Sequence, residues 1–157
     1  MRAISWLQVG LVRIVLDTDV VVAAFRSDQG ASRQLLLAAL DREFVMLLSV
    51  PLMLEYEAVL KRPEHLLAAG LAIEQVDAVL DALAAVVEPV RLAFHWRPTL
   101  NDPSDEMVLE TAVNGRADRL VTFNVKHFGE AAQRFGMDVG RPGETWRELR
   151  GGSHEKK

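Results

Sequence analysis

The chain has 157 residues, of which 50% are hydrophobic and 25% are charged; this composition predicts a single folded domain and excludes wholesale disorder. The absence of cysteine excludes a disulfide scaffold and a cysteine-ligated zinc site, and it agrees with a cytoplasmic location. A net charge of −4 argues against a passive binder of long nucleic-acid duplexes. It argues less against a protein in which bound metal ions supply the positive charge at a phosphate.

Residues 1–11 are predicted to be a leader outside the folded core. They contain one basic residue and are only mildly hydrophobic, and the apolar run that follows is broken by Arg13 and ends at Asp17. This pattern differs from a targeting signal, and no apolar run reaches the roughly 20 residues that a membrane-spanning helix needs. We therefore expect no membrane segment, a single domain over residues 12–150 and a disordered tail over 151–157.

Strand and helix signals alternate along this domain. Short apolar runs predict strands at 12–16, 44–50, 87–93, 120–123 and 137–139. Pro89 places the third of these at a sheet edge. Helical spacing, together with Pro and Gly at helix ends, predicts helices at 18–25, 31–42, 51–61, 64–70, 71–87, 103–114, 126–135 and 143–149. The alternation favours an α/β fold with helices on both faces of a mostly parallel sheet, in which ligands bind at the carboxyl ends of the strands.

Two acidic residues lie near the start of the domain. Asp17 ends the first strand, where a binding site and a helix N-cap are equally good interpretations. Asp19 falls in the first turn of the following helix, and solvation or capping explains it better than a metal-binding role.

Glu55 and Asp105 are the acidic residues of later helices that fall on inward faces. Glu55 shares the apolar stripe of its helix, whereas Glu57 has Lys61 at i+4, as in a surface ion pair. Asp105 is in line with the apolar residues of its helix, whereas Glu106 is on the outer side. We therefore expect Asp105 and Glu55 to face the interior.

Asp17, Glu55 and Asp105 together form a candidate metal site. Clustered carboxylates raise one another's pKa values, so a bound cation is the natural way to keep them ionised. Ligands that are all oxygen suit Mg²⁺ or Mn²⁺, which could assist attack on a phosphodiester. Thr122 and Asn124, at the end of the fourth strand, are auxiliary candidates for holding a water or a phosphate; a turn signal also explains Asn124.

The order and spacing of three segments resemble the PIN-domain family of metal-dependent ribonucleases, and more narrowly the toxins of bacterial toxin–antitoxin pairs. The segments are Val15–Val20 with Asp17, Ser49–Leu60 with Glu55, and Asp102–Asn124 with Asp105 and the Thr-x-Asn that ends a strand. The likeness covers about residues 12–140. It implies a three-layer α/β/α sandwich, RNA cleavage with Mg²⁺ or Mn²⁺ at Asp17, Glu55 and Asp105, and inhibition by a cognate antitoxin. Homodimers are common in such families.

Two positions depart from the usual family pattern, and two alternative functions stay open. Asp19 replaces the usual Asn, and no acid lies near Asn124 or His127, so the fourth metal-binding position is unassigned. One alternative is a haloacid-dehalogenase-type phosphatase with Asp17 as nucleophile and Asp19 as general acid. The other is a catalytically silent PIN-like module that binds RNA or a protein partner.

Overall fold

The structure is a computed structural model that describes residues 11–93 and 102–155, with side chains described as far as residue 151. It confirms the type and order of the predicted helices and strands. In chain order these are β1 (Arg13–Leu16), α1 (Thr18–Arg26), α2 (Ala31–Leu40), β2 (Val45–Leu48), α3 (Val50–Leu60), α4 (Pro63–Ala69), α5 (Ile73–Val86), β3 (Glu88–Pro89), α6 (Pro103–Asn114), β4 (Arg119–Val121), α7 (Val125–Arg134), β5 (Asp138–Gly140) and α8 (Pro142–Glu155).

The strands in the described part of the chain form one parallel sheet in the order β3-β2-β1-β4-β5. β1 and β4 pair in the middle, with Leu16 opposite Val121. Their residues are almost all inaccessible to solvent, which is why they read as continuous apolar runs. β3 is at one edge, as its proline predicts.

The strand order creates a crevice at the carboxyl ends of β1 and β4. From β1 the chain moves outward through β2 to β3, and then crosses back over the sheet to β4 and on to β5. Right-handed crossovers in opposite directions place helices on opposite faces, which gives the expected α/β/α sandwich. α1 packs against α2, α3 and α4, whereas α6 packs against α7 and the central strands. The point where the directions diverge is where open α/β sheets bind ligands.

Two buried hydrogen bonds between different elements fix the helices that border this crevice. Ser49 caps α3 by accepting from the Leu52 amide at 3.3 Å, and its hydroxyl lies 2.7 Å from that of Thr111 in α6. The Thr111 hydroxyl donates to the Met107 carbonyl at 2.9 Å, so Ser49 is the donor between α3 and α6. Tyr56, which is fully buried, donates to the carbonyl of Leu16 and so ties α3 to the end of β1.

The two ends of the chain differ in how they compare with the predictions. The predicted leader lies outside the described residues except for Leu11, which is exposed. The final helix continues to Glu155, so residues 151–155, which we expected in a disordered tail, are helical. Residues 156 and 157 lie outside the described part. The segments that the structure describes contain no helix long and apolar enough to cross a membrane.

Candidate metal centre

Asp17 caps a helix, as one of its two interpretations predicted, and its carboxylate is also buried at the crevice. Its backbone continues the sheet, with the Asp17 amide donating to the Val121 carbonyl at 2.9 Å. Its Oδ1 accepts from the Thr18 amide at 2.7 Å and caps α1. Its Oδ2 accepts from the Thr122 hydroxyl at 2.7 Å. Only 6% of the residue is exposed, so its charge is largely removed from water.

Asp19 contacts the residues that follow β4, neighbours that our expectation of a solvated or capping residue did not include. Its Oδ2 accepts from the Phe123 amide at 3.2 Å and from the Asn124 side chain at 3.3 Å. Its Oδ1 is buried and has no hydrogen-bond donor. Helical side chains tilt toward the N-terminus, so an acid in the first turn of α1 points back toward the crevice. That tilt was the signal in the sequence that could have identified Asp19.

Thr122 and Asn124, the two auxiliary candidates, lie beside the carboxylates. The Thr122 hydroxyl, which donates to Asp17, also accepts from the backbone amide of Asn124 at 3.0 Å. Asn124 begins α7 and directs its side-chain amide at Asp19. Two carboxylates after β1 are therefore held by two polar side chains after β4.

Asp105 approaches from the other side of the crevice. It lies in the first turn of α6 and its side chain is only 17% exposed, which agrees with an inward-facing acid. His127 in α7 lies beside it, with Nδ1 3.5 Å from Asp105 Oδ2. This contact was not predicted from the sequence.

Glu55 in α3 contacts the first turn of α6. Its Oε2 accepts from the Ser104 hydroxyl at 3.1 Å, next to Asp105 in sequence. Glu57 instead accepts from Lys61 at 2.8 Å, as predicted for a surface pair. At the opposite edge of the sheet, Asp118 accepts from the Arg13 backbone amide at 2.8 Å and helps to join β1 to the start of β4.

The carboxylates disfavour one another's ionisation. Burial, followed by the charge of Asp19, raises the pKa of Asp17 to about 7, against the hydrogen bonds from Thr122 and Thr18. Burial also raises the pKa of Asp19, with a smaller contribution from Asp105. Burial and then the charge of Asp102 raise the pKa of Asp105, and His127 opposes this. The site therefore has an excess of negative charge that a cation would stabilise.

The donor chemistry of the crevice fits a hard divalent cation. The acidic groups present only oxygen, and the buried Asp19 Oδ1 lacks any partner. As placed in residues 11–93 and 102–155, however, no three His, Asp or Glu side chains are close enough together to hold an ion. Binding would require the carboxylates to draw together.

Comparison with known proteins identifies the family. A family model described as PIN domain matches residues 13–126, from the start of β1 into α7. The chain belongs to the PIN-domain family. The matched range includes Asp17, Asp19, Glu55, Asp105 and Asn124.

A solved structure shares the PIN fold of this chain. It is one chain of the crystal structure of VapBC2 from Rickettsia felis bound to a DNA fragment from its promoter. That chain superposes on this one with a TM-score of 0.55 at 16% sequence identity. The match covers 82% of this chain and 98% of that chain. No curated protein sequence matches.

Proposed function

We propose that this PIN domain is a ribonuclease that cleaves RNA phosphodiester bonds with Mg²⁺ or Mn²⁺. The observation that carries the proposal is the pair of carboxylates that follow β1, Asp17 and Asp19, held by the residues that follow β4, with the buried Oδ1 of Asp19 lacking a hydrogen-bond partner. Grouping buried carboxylates without a cation is costly, so a purely structural role explains the arrangement poorly.

Asp17, Asp19 and Asp105 would hold the ion, with Glu55 completing the set from the Ser104 side. A bound divalent ion supplies positive charge at the phosphodiester, which a chain with a net charge of −4 otherwise lacks. Thr122 fixes Asp17, and the side chain of Asn124 fixes Asp19. These two polar residues therefore determine the direction of the carboxylates without adding charge.

A role as the toxin of a toxin–antitoxin pair is supported by the fold shared with a chain of VapBC2. On this proposal the partners are RNA, a cognate antitoxin protein and a second copy of the chain, and the site of action is the cytoplasm. The phosphatase alternative has less support. It needs a pair of acids at the end of a late strand, whereas Thr122, Phe123 and Asn124 follow β4.

RNA cleavage by the purified chain tests the proposal. We expect cleavage with Mg²⁺ or Mn²⁺, none with EDTA, and none for Asp17→Asn. Asp118→Asn serves as the matched control, because it removes an aspartate charge at the opposite edge of the sheet. The same variants, expressed in a bacterial host, should arrest growth only when the crevice is intact. Undiminished cleavage in EDTA would refute the metal mechanism, and a phosphorylated Asp17 in mass spectra would favour the phosphatase.

A further inference from the structure

The pair formed by His127 and Asp105 has a spacing that suits two ligands of one metal ion. His127 Nδ1 is 3.5 Å from Asp105 Oδ2. A hydrogen bond from a ring nitrogen to a carboxylate is normally shorter, at about 2.7–3.2 Å. Adjacent ligands that each lie roughly 2.0–2.2 Å from one ion are about 2.8–3.6 Å apart, depending on the angle between them. The two donor atoms therefore face each other at the separation of neighbouring ligands.

The position of His127 in α7 directs its side chain toward the carboxyl edge of the sheet. It is the third residue of α7, which begins immediately after Asn124, beyond the end of β4. Helical side chains tilt toward the N-terminus, so a residue of the first turn points back toward that edge. The same tilt brings Asp19 to the residues that follow β4. The contact with Asp105, which lies in a different helix, agrees with this direction.

Asp105 relates His127 to the two carboxylates that follow β1. The charge of Asp105 contributes to raising the pKa values of Asp17 and Asp19, so its carboxylate lies within electrostatic range of theirs. The side chain of His127 is 61% exposed, and its ring can therefore turn toward an ion without disturbing the core. An imidazole nitrogen is thus available beside the carboxylates that would hold the ion.

We propose that His127 supplies a nitrogen ligand to the metal centre beside Asp105, and that this ligand makes the centre select Mn²⁺ over Mg²⁺. The inference rests on the metal centre of the proposed function. Mg²⁺ binds through oxygen ligands and retains several waters. Imidazole instead favours ions of the first transition row, whereas carboxylates accept both kinds of ion. A site with carboxylates alone would lack this reason to discriminate.

Calorimetric titration with each ion, without RNA, tests the selection. His127→Gln should lose about 10-fold or more of its affinity for Mn²⁺ and change little toward Mg²⁺. His127→Asp, which offers oxygen in place of nitrogen, should bind Mg²⁺ more tightly than the wild type. Lys126→Gln is the matched control, because it removes a neighbouring exposed charge that acts on both ions alike. An unchanged ratio of the two affinities in His127→Gln would overturn the inference.

Pulsed electron paramagnetic resonance of the Mn²⁺-loaded protein shows whether a nitrogen is bound to the ion. We expect the modulation of a directly bound nitrogen in the wild type and in His65→Gln, and its loss in His127→Gln. His65, in α4, is the other histidine among the side chains that the structure describes. A His127 ring that only forms an ion pair with Asp105 would give no such signal. A wild-type spectrum without bound nitrogen therefore overturns the inference.

The remaining outcomes separate this inference from the proposed function. Mn²⁺ bound through nitrogen in a protein that does not cleave RNA supports the inference and refutes the ribonuclease. RNA cleavage with Mn²⁺ but without bound nitrogen overturns the inference and leaves the ribonuclease intact. If the wild type binds neither ion, both proposals fail.

Discussion

At the level of single residues, the acidic crevice depends on how side chains leave the first turn of α1. Asp17 precedes the helix and points into the crevice from the end of β1, while its Oδ1 caps the helix. Asp19 is already helical, yet its carboxylate reaches the end of β4 because helical side chains tilt toward the N-terminus. Assigning helix faces from residue spacing alone overlooks this tilt, because spacing does not distinguish the first turn of a helix from later turns.

The position of Asp19 predicts that its charge serves the same ion as Asp17. We expect Asp19→Asn to lower metal-dependent RNA cleavage by at least the roughly 10- to 100-fold typical of disrupting a metal site's supporting groups. Asp28→Asn, in the exposed loop that follows α1, is the matched control and should cleave normally. Equal cleavage rates for Asp19→Asn and the control would show that Asp19 does not contribute to the metal site.

Glu55 and Glu57 give a second matched comparison on one helix. We expect Glu55→Gln to abolish cleavage while the protein stays folded, because Glu55 contacts Ser104, the residue before Asp105, and is proposed to complete the metal site. Glu57→Gln should leave cleavage and stability nearly unchanged, since an exposed i,i+4 pair contributes only about 0.2–0.5 kcal/mol. Lys61 also retains Asp77 as a partner at 2.6 Å. Similar cleavage rates for the two variants would contradict the assignment of faces.

At the level of elements, α6 must lie close to the sheet for Asp105 to reach the crevice. Its C-terminal end is fixed by Gly115, where an added Cβ would lie 2.9 Å from Val90 Cγ2 and 3.0 Å from Leu47 Cδ1. The carbonyl oxygen of Thr111 would also be only 3.0 Å away. Gly115 therefore permits α6 to approach β2 and the residue that follows β3.

This close approach predicts that Gly115→Ala destabilises the fold. Overpacking a well-filled core costs about 1–3 kcal/mol, and the reduced freedom of the unfolded chain offsets only about 0.4–1 kcal/mol of that. Gly143→Ala in α8 should be neutral or stabilising, because its nearest atom would be Arg147 Nη1 at 3.5 Å. Urea denaturation of both variants measures the difference, and equal midpoints would show that α6 can shift without cost.

At the level of the whole molecule, the grouped carboxylates should make the metal-free protein less stable as the pH rises. The pKa of Asp17 is about 7 in the folded protein and 3.8 as its ordinary value. Between these two pH values the folded state retains a proton that the unfolded state has released, so raising the pH favours unfolding. The contribution of Asp17 to the free energy of unfolding should therefore fall from about pH 4 to about pH 7 and stay constant at higher pH.

Asp17→Asn should remove this dependence. Without metal, we expect the variant to have a higher Tm than the wild type at pH 8 and a flatter profile between pH 4 and 7. Mn²⁺ at pH 8 should raise the Tm of the wild type and of Asp118→Asn, but not of Asp17→Asn, because binding to the folded state alone stabilises it. A wild-type Tm that rises with pH in the absence of metal would refute the sign of this prediction.

The sequence by itself determined the order of the elements and the direction of several side chains. The side-chain periods of a strand, two residues, and of a helix, 3.6 residues, are set by the local backbone. Asp105 could therefore be assigned to an inward face, and Glu57 to a surface ion pair, without knowledge of the fold. The end of an apolar run placed Asp17 at a strand end in the same way. These assignments needed only neighbours within one helix or strand.

The tertiary structure alone decided which of these residues meet. Asp17 contacts Thr122, and Asp19 contacts Asn124, in each case across 105 positions of sequence. These contacts exist because β1 pairs with β4, and the hydrophobic pattern of each strand is compatible with several strand orders. His127 reaches Asp105 for the same reason, since α7 starts where β4 ends. Local periodicity fixes the direction of a side chain, whereas strand order fixes its distant neighbours.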